Sequence, residues 1–353
     1  MGKFKPLLPL GNKTVIERIV AMFLHAGVRD VRVVLGYKAR DVIAVLKNLG
    51  VSWCINDDYP SEMFTSVKVG LGGLKQDAEA FFVLPVDIPL VKAQTLQWLM
   101  GGSAKDTHQI MYPTFLGERG HPPLISRHYA RELMTWAGKG GLKGFLEQYD
   151  HNSRDVPVFD EGILMDMDTP SQYREIVTRY EKRQVPTKAE ITAMMTTRFS
   201  VDHRVVKHSK VVARVARVVG EKLLNAGHKI DVSLVDACGY LHDIGKGEKQ
   251  HAKFGARLLK SMGYPQVADI IVSHMDLSFA EEDNITEKEV VYLADKLTYG
   301  EKILPLDKRL KSKLNQLTDQ TKGKVAAEKR IRTAMQIEHA IEKIVGEKLS
   351  VFL

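Results

Sequence analysis

The spacing of apolar residues changes character near the middle of the chain. Up to about residue 180, short β-branched or apolar runs alternate with stretches at helical spacing. Val15, Ile19, Met22 and Phe23 recur at three- and four-residue intervals and predict a helix over 14–26. VRVVLGY at 31–37 reads as a strand, 39–49 as a helix, VSWCIN at 51–56 as a strand and 66–74 as a helix. AFFVLPVD at 80–87 is apolar on both parities, as in a strand covered on both faces of a parallel sheet. This βαβ rhythm predicts a Rossmann-like α/β domain.

Beyond Pro186 the period is helical throughout. Stretches at 204–224, 233–242, 252–262, 265–274, 287–297 and 325–345 all show three-to-four spacing, with no strand-like segment between them. YEKRQVPT at 180–187 is charged, contains Pro186 and marks the boundary. The expectation is an α/β domain over 1–180, an all-α domain over 186–312 and a helical extension over 313–353. A chain of 353 residues also exceeds a typical single core.

Composition narrows the setting without naming a function. Hydrophobic residues make up 44% and charged residues 27%, as in soluble globular proteins. No apolar run reaches the ~20 residues of a membrane span, and 1–12 lacks the pattern of a signal peptide, so a cytoplasmic protein without a membrane partner is expected. Cys54 and Cys238 lie far apart in apolar segments and read as buried free thiols. The net charge of +8 is concentrated toward the end, where 301–349 holds twelve Lys/Arg against seven Asp/Glu. Such a tail attracts polyphosphates in general. Without interleaved aromatics it reads as a solvated helix face, and nucleic acid is not an expected partner. Ile331, Met335, Ile337, Ile341, Ile344 and Val345 line one side of that tail, which reads as a packing helix rather than a membrane anchor.

Several pieces of the first half carry chemistry. GKFKPLLPL sets Lys3 and Lys5 before a Pro-rich turn that feeds a helix. FFVLPVDIPLV puts Asp87 at the carboxyl end of an apolar strand, the edge where ligands of open α/β sheets gather. An Asp so placed suits Mg²⁺, which takes one or two carboxylates plus phosphate oxygens. ILMDMDTP offers Asp166 and Asp168 on one face of an extended segment. Each piece also has a plain structural reading: Asp87 as a turn cap, and DMDTP as a helix start with Thr169 or Asp168 capping and Pro170 in the first turn. GLGG at 70–73 lacks the marks of a phosphate loop.

Taken in order, GKFKPLLPL, NDDYPSEMFTSVKVGL, LPVDIPLV, GERGHPPLIS, GGLKGFL and DMDTPSQY resemble the MobA-like NTP transferases, specifically the molybdenum cofactor cytidylyltransferase branch, over residues 2 to about 178. The resemblance implies nucleotidyl transfer from an NTP, CTP favoured over GTP, to a phosphorylated pterin-like acceptor, with pyrophosphate released. It implies Lys5 on the NTP phosphates, Asp87 as the catalytic Mg²⁺ ligand, Asp166 or Asp168 completing the metal site, Asn56 and Ser66 beside the nucleotide, and the Arg119–His121 loop facing the acceptor. It also implies a first strand and a Gly-rich phosphate-cradling loop ahead of Gly2. The expectation is therefore that Met1 is an internal methionine. The alternative is a real loss, which would leave the strand's neighbours with unpaired backbone groups.

The second half holds a sharper signal. VVKHSKVVARVA at 205–216 is followed, 34 residues after its histidine, by YLHDIGKGEKQH at 240–251, then VSHMD at 272–276 and YLADKL at 292–297. Imidazole and carboxylate together suit first-row divalent metals, here one or two ions of Fe, Mn, Co, Ni or Zn. Such a metal brings the pKa of water to about 7 and so supplies a nucleophile for phosphorus. His208, His242, Asp243 and Asp295 have the order and helical setting of HD-domain phosphohydrolases, which this region resembles over about 185–312. Asp243 is the candidate bridging and catalytic carboxylate. His251 and His274 stand where HD proteins with two metals place ligands of the second ion, and a binuclear centre is expected. Lys246 and Lys296 are candidates to contact substrate phosphates. The combined expectation is a bifunctional transferase and hydrolase. Two alternatives are a hydrolase with a degenerate nucleotide- or pterin-sensing first domain, and a non-catalytic assembly factor for a molybdoenzyme.

Overall fold

The computed structural model describes residues 4–103, 109–280, 282–316 and 322–353. Lys3 lies outside the described residues. The chain divides into two compact units, Met1–Lys182 and Arg183–Leu353.

The first unit begins with a short hairpin, β1 (Pro9–Leu10) and β2 (Lys13–Thr14), that leads into helix α1 (Val15–Ala26). Thr14 starts this helix with a capping box: its side chain accepts from the Glu17 N–H, and Glu17 accepts in return from the Thr14 N–H. Gly27, at φ +92°, ends it in the left-handed region. Strand β3 (Arg32–Leu35), helix α2 (Ala39–Leu46) and strand β4 (Ser52–Ile55) form a parallel βαβ unit, with Arg32 opposite Ser52 and Leu35 opposite Ile55. Ile16 and Val20 of α1 pack with Leu35, Val42 and Leu46 against it.

Helix α3 (Met63–Leu71) leads to a second, mixed sheet. Its strands are β5 (Ala80–Phe82), β6 (Ile110–Phe115), β7 (Glu118–Arg119), β8 (Leu124–Ser126) and β9 (Ser153–Pro157), with α4 (Ala93–Ser103), α5 (Ala130–Thr135) and α6 (Gly141–Gln148) interspersed. Only β9 pairs parallel, with β6; the pairings of β5 with β8, β8 with β6, and β6 with β7 are antiparallel. The fold is thus α/β with a mixed sheet. The apolar run at 80–87 is a shorter strand than its pattern predicts, because the ladder to β8 ends at Phe82 opposite Leu124. Pro85, which has no N–H to donate, follows, and the chain turns at Val86–Asp87. Helix α7 (Pro170–Glu181) closes the unit; Thr169 and Gln172 form its capping box and Pro170 its first turn.

The second unit is helical. It contains α8 (Lys188–Thr192), a π-turn at 193–198, α9 (His203–Asn225), α10 (Val232–Leu241), α11 (His251–Ser261), α12 (Pro265–Ile271), α13 (Glu287–Leu297), α14 (Leu306–Gln316), α15 (Lys322–Val345) and α16 (Leu349–Phe352). The stretches read from the pattern do not include α8, α14 or α16, and they also miss a hairpin of two-residue strands, β10 (Thr298–Tyr299) and β11 (Lys302–Ile303), which is too short to register as a periodic run. Helices α9 and α10 lie very close. A Cβ on Gly239 would stand 2.5 Å from the Ala213 Cα, so glycine is what admits the approach. Val212, Val215, Val219 and Leu223 of α9 are buried along the same side, at the i, i+3, i+4 spacing that predicts the helix. Ile331, Ile337 and Ile341 of α15 are buried as well, as expected for a packing helix. No helix among the described residues is long and apolar enough to cross a membrane. Cys54 is half-buried, Cys238 is buried, and neither is in a disulfide.

Candidate metal centre and candidate transferase site

In the second unit the candidate residues come from helix ends. His208 sits in the second turn of α9, and His242 and Asp243 directly follow α10. His251 opens α11, His274 lies just beyond α12, and Asp295 is in the last turn of α13.

The geometry orients three imidazoles. His208 Nδ1 faces the Gly300 carbonyl at 3.1 Å, His242 Nδ1 the Gly239 carbonyl at 2.8 Å and His274 Nδ1 the Ile271 carbonyl at 2.7 Å. A carbonyl only accepts, so each Nδ1 must donate, and in the neutral ring each Nε2 presents a lone pair. Those lone pairs converge on carboxylates. His208 Nε2 is 3.2 Å and His242 Nε2 3.6 Å from Asp295 Oδ1. His242 Nε2 is 3.6 Å from Asp243 Oδ2, and His274 Nε2 is 3.5 Å from Asp243 Oδ1. His251 Nε2 stands 3.1 Å from both Asp243 Oδ1 and His274 Nε2.

Acceptors facing acceptors repel unless a cation lies among them. His242 Nε2 and Asp243 Oδ1 are buried with no hydrogen-bond partner among the described residues, although His251 Nε2 is near the latter. Two groups of three could hold an ion: His208, His242 and Asp243, and Asp243, His251 and His274. Asp243 belongs to both. The donor set of imidazole nitrogen and carboxylate oxygen fits a first-row divalent metal.

Without metal, protons answer the same field. Burial pushes the His242 pKa down, but the Asp295 and Asp243 carboxylates outweigh burial and hold it above the ordinary value. Burial dominates at His274, whose pKa is lowered. Burial also opposes the charge of Asp243 and Asp295. The histidines around Asp243, and Lys296 with His208 and His242 around Asp295, prevail and keep both carboxyls well below the usual range.

The two lysines differ. Lys246 is half-exposed, with Nζ 3.0 Å from Asp243 Oδ2, at a cleft of about 740 Å³ over the cluster. Lys296 is buried; its ammonium donates to Asp295 Oδ2 at 2.5 Å and to the His274 carbonyl at 2.9 Å. Two of its three protons are therefore committed to Asp295 and the His274 carbonyl, while the residue also lines the cleft. Sequence reading missed Arg309. From α14 it donates to the carbonyls of Asp295 (2.8 Å), Lys296 and Thr298 (2.6 Å), capping the helix end that carries Asp295. Nothing in its local sequence signals this, because its partners lie at the end of α13 and the start of β10.

In the first unit Lys5 Nζ lies 2.5 Å from Asp168 Oδ1 and 3.4 Å from Asp87 Oδ2. One cation thus gathers two of the candidate carboxylates. Burial lowers the Lys5 pKa and the two carboxylates raise it by more, while Lys5 holds the Asp168 carboxyl down. Asp166 goes elsewhere: its Oδ1 accepts from Gln172 Nε2 on α7, so the two aspartates do not share a partner. Buried Asn56 donates to Thr65 Oγ1 at 2.8 Å and to Ser66 Oγ at 3.0 Å, which brings the two nucleotide candidates together. His121 is mostly buried; its pKa is lowered by burial against the field of Asp87, and its Nδ1 is without a hydrogen-bond partner among the described residues. Arg119 is held on the sheet by Asp150, by Asp155 at 2.6 Å and by Ser153 at 2.9 Å, so its guanidinium is already committed.

Comparison with known proteins agrees with both units. Residues 1–153 match the MobA-like NTP transferase domain family, and residues 205–300 match the HD domain family. The chain joins a MobA-like NTP transferase domain to an HD domain. An uncharacterized protein of Methanocaldococcus jannaschii is 28% identical over 124 residues, covering 30% of this chain and 73% of its own. Rv0371c of Mycobacterium tuberculosis H37Rv, solved in complex with manganese, is 26% identical over 50% of this chain and 93% of its own, with a TM-score of 0.45. A nucleotidyl transferase from Methanothermobacter thermautotroptrophicus is 22% identical over 51% of this chain and 86% of its own, with a TM-score of 0.44. The candidate ligands His208, His242, Asp243, His251, His274 and Asp295 all fall within the span matched by the HD family.

Proposed function

We propose that the HD domain is a metal-dependent phosphohydrolase with a binuclear centre bridged by Asp243. The observation that carries this reading is the convergence of three Nε2 lone pairs on two carboxylates, with His242 Nε2 and Asp243 Oδ1 left unpartnered in the interior. Buried polar atoms without partners cost roughly 1–3 kcal/mol each, so an arrangement with two of them answers to something that binds there. A divalent ion, when bound, lowers the pKa of water toward about 7 and polarises phosphoryl oxygens. The chain's own groups do the rest. The Gly239, Gly300 and Ile271 carbonyls fix the ring orientations, Lys296 and Arg309 hold the Asp295 helix end, and Lys246 offers an ammonium to a phosphate at the cleft.

The reading for the first domain is nucleotidyl transfer from an NTP, CTP in preference to GTP, to a phosphorylated pterin-like acceptor of molybdenum-cofactor type. Asp87 and Asp168 would hold Mg²⁺, with Asp166 behind them on Gln172. Lys5 would turn from the carboxylates to the NTP phosphates. Asn56 and Ser66 would border the nucleotide, and His121 would face the acceptor, while Arg119 braces its sheet. Transfer at phosphorus asks mainly for positioning and charge neutralisation, which these groups supply. The support is the gathering of Asp87 and Asp168 around one cation.

The test uses the full chain. The hydrolase reading expects hydrolysis of bis(p-nitrophenyl) phosphate that requires Mn²⁺ or Fe²⁺ and is lost in Asp243→Ala; no metal-dependent activity in the unaltered chain overturns it. The transferase reading expects pyrophosphate release from CTP with Mg²⁺ only when a molybdopterin-type acceptor is present. Equal release without acceptor, or with GTP alone, removes the assignment.

A further inference from the structure

The cleft over the HD cluster is not walled by the HD segment alone. Besides His208, Asp243, His274 and Asp295, its lining includes Ala327, Arg330 and Ile331 of α15, which lie beyond the residues matched by the HD family. Helix α15 is fixed there: Ile331 is buried, and the Tyr292 hydroxyl of α13 donates to the Arg330 carbonyl at 3.0 Å. Arg330 is only 29% exposed, and its Nε donates to Asp276 Oδ1 at 2.9 Å. No other hydrogen bond of its guanidinium occurs among the described residues, so the edge bearing Nη1 and Nη2 is without a bonded partner there.

The other cations of the cleft have partners on its wall, Lys246 among them at the metal cluster, where the first phosphate would be met. Lys246 and Lys296 face Asp243 and Asp295, Arg204 is doubly paired with Asp202, and Arg309 is turned onto carbonyls. Arg330 differs because its partner, Asp276, takes Nε alone and does not line the cleft. A guanidinium braced on one edge and unbonded on the other is the geometry that captures a phosphate or carboxylate with two parallel hydrogen bonds.

Resting on the hydrolase reading above, we infer that Arg330 forms a second anion subsite, so that the preferred substrate is a phosphate ester bearing at least one further phosphate besides the group held at the metal cluster. Helix α15 is then part of the binding site.

The experiment separates this inference from the hydrolase reading by measuring binding apart from turnover. Orthophosphate and methylenediphosphonate are titrated calorimetrically into the full chain loaded with Mn²⁺, in a Lys5→Ala background that removes the cation of the first domain's cluster. The expected result is diphosphonate binding about tenfold tighter than orthophosphate, an advantage that Arg330→Gln removes and Arg330→Lys partly restores. Loss of both ligands alike in Arg330→Gln, or an unchanged ratio, overturns the subsite. Hydrolysis of bis(p-nitrophenyl) phosphate is read on the same preparations. Its absence with the ratio shift intact sinks the hydrolase reading while the subsite stands.

Discussion

Replacing Asp243 with Asn keeps the shape of the side chain and removes its charge. Asp243 is the residue common to both candidate ligand groups, with Oδ1 at 3.1 Å from His251 Nε2 and Oδ2 at 3.6 Å from His242 Nε2. In the unaltered chain, metal at about 100 times its Kd stabilises the native state by ~2.7 kcal/mol. For a unit of the size of Arg183–Leu353 that corresponds to a rise in Tm of about 5–10 °C. Removing a shared ligand should weaken affinity at least about 100-fold, since even residues behind the ligands are worth 10–100-fold. At the same metal concentration the remaining stabilisation is then about 0.4 kcal/mol, or roughly 1 °C. Differential scanning calorimetry with Mn²⁺ and with chelator reads this on the metal-sensitive transition, and elemental analysis counts ions per chain. His251→Ala, which touches only the second group, should lower the count from two to one, whereas Asp243→Asn should weaken both sites and leave each no more than about half filled at that metal concentration. An unchanged Mn²⁺ shift and an unchanged ion count in Asp243→Asn would refute the bridging role.

Four further outcomes follow from particular contacts. The metal-free HD unit should be most stable near pH 6.5: His242, raised in the native state, contributes stability below 6.5 that is lost as pH rises through its folded value, and His274, lowered, contributes stability above 6.5 that is lost as pH falls below it. Bound Mn²⁺ should move that optimum upward, because the ligands are neutral imidazoles; melts at pH 5.5, 6.5 and 8 with chelator or Mn²⁺ check both signs. Arg309→Ala should lower stability by about 1–3 kcal/mol and weaken metal binding too, as the carbonyls of Asp295, Lys296 and Thr298 lose the guanidinium, although Asp295 keeps the Thr298 N–H; denaturant unfolding and metal titration read the two effects. Gly239→Ala should cost about 1–3 kcal/mol by forcing α9 and α10 apart, visible as a lower denaturation midpoint. Lys5→Ala should weaken CTP binding at least about tenfold, measured by equilibrium dialysis, if that ammonium meets the NTP phosphates.

The amino-acid pattern alone determined the change from alternating strands and helices to helices only, because side-chain periodicity is a local property of backbone geometry. The grouping of histidines and aspartates in the second half came instead through the resemblance to HD domains, which their order and helical setting along the chain carry. Folding decided what local pattern cannot encode. It shortened the strand at 80–87, where ladder partners rather than apolarity set the length. It sent Asp166 to Gln172 while Asp168 went to Lys5, and it turned Arg119 onto Asp150 and Asp155, because each choice depends on a residue distant in sequence. It also placed Arg309 behind Asp295 and Arg330 at the cleft, where neither has a motif to announce it. Spacing selects which donors a helix end can offer, and only three-dimensional packing decides which of them face the same empty volume.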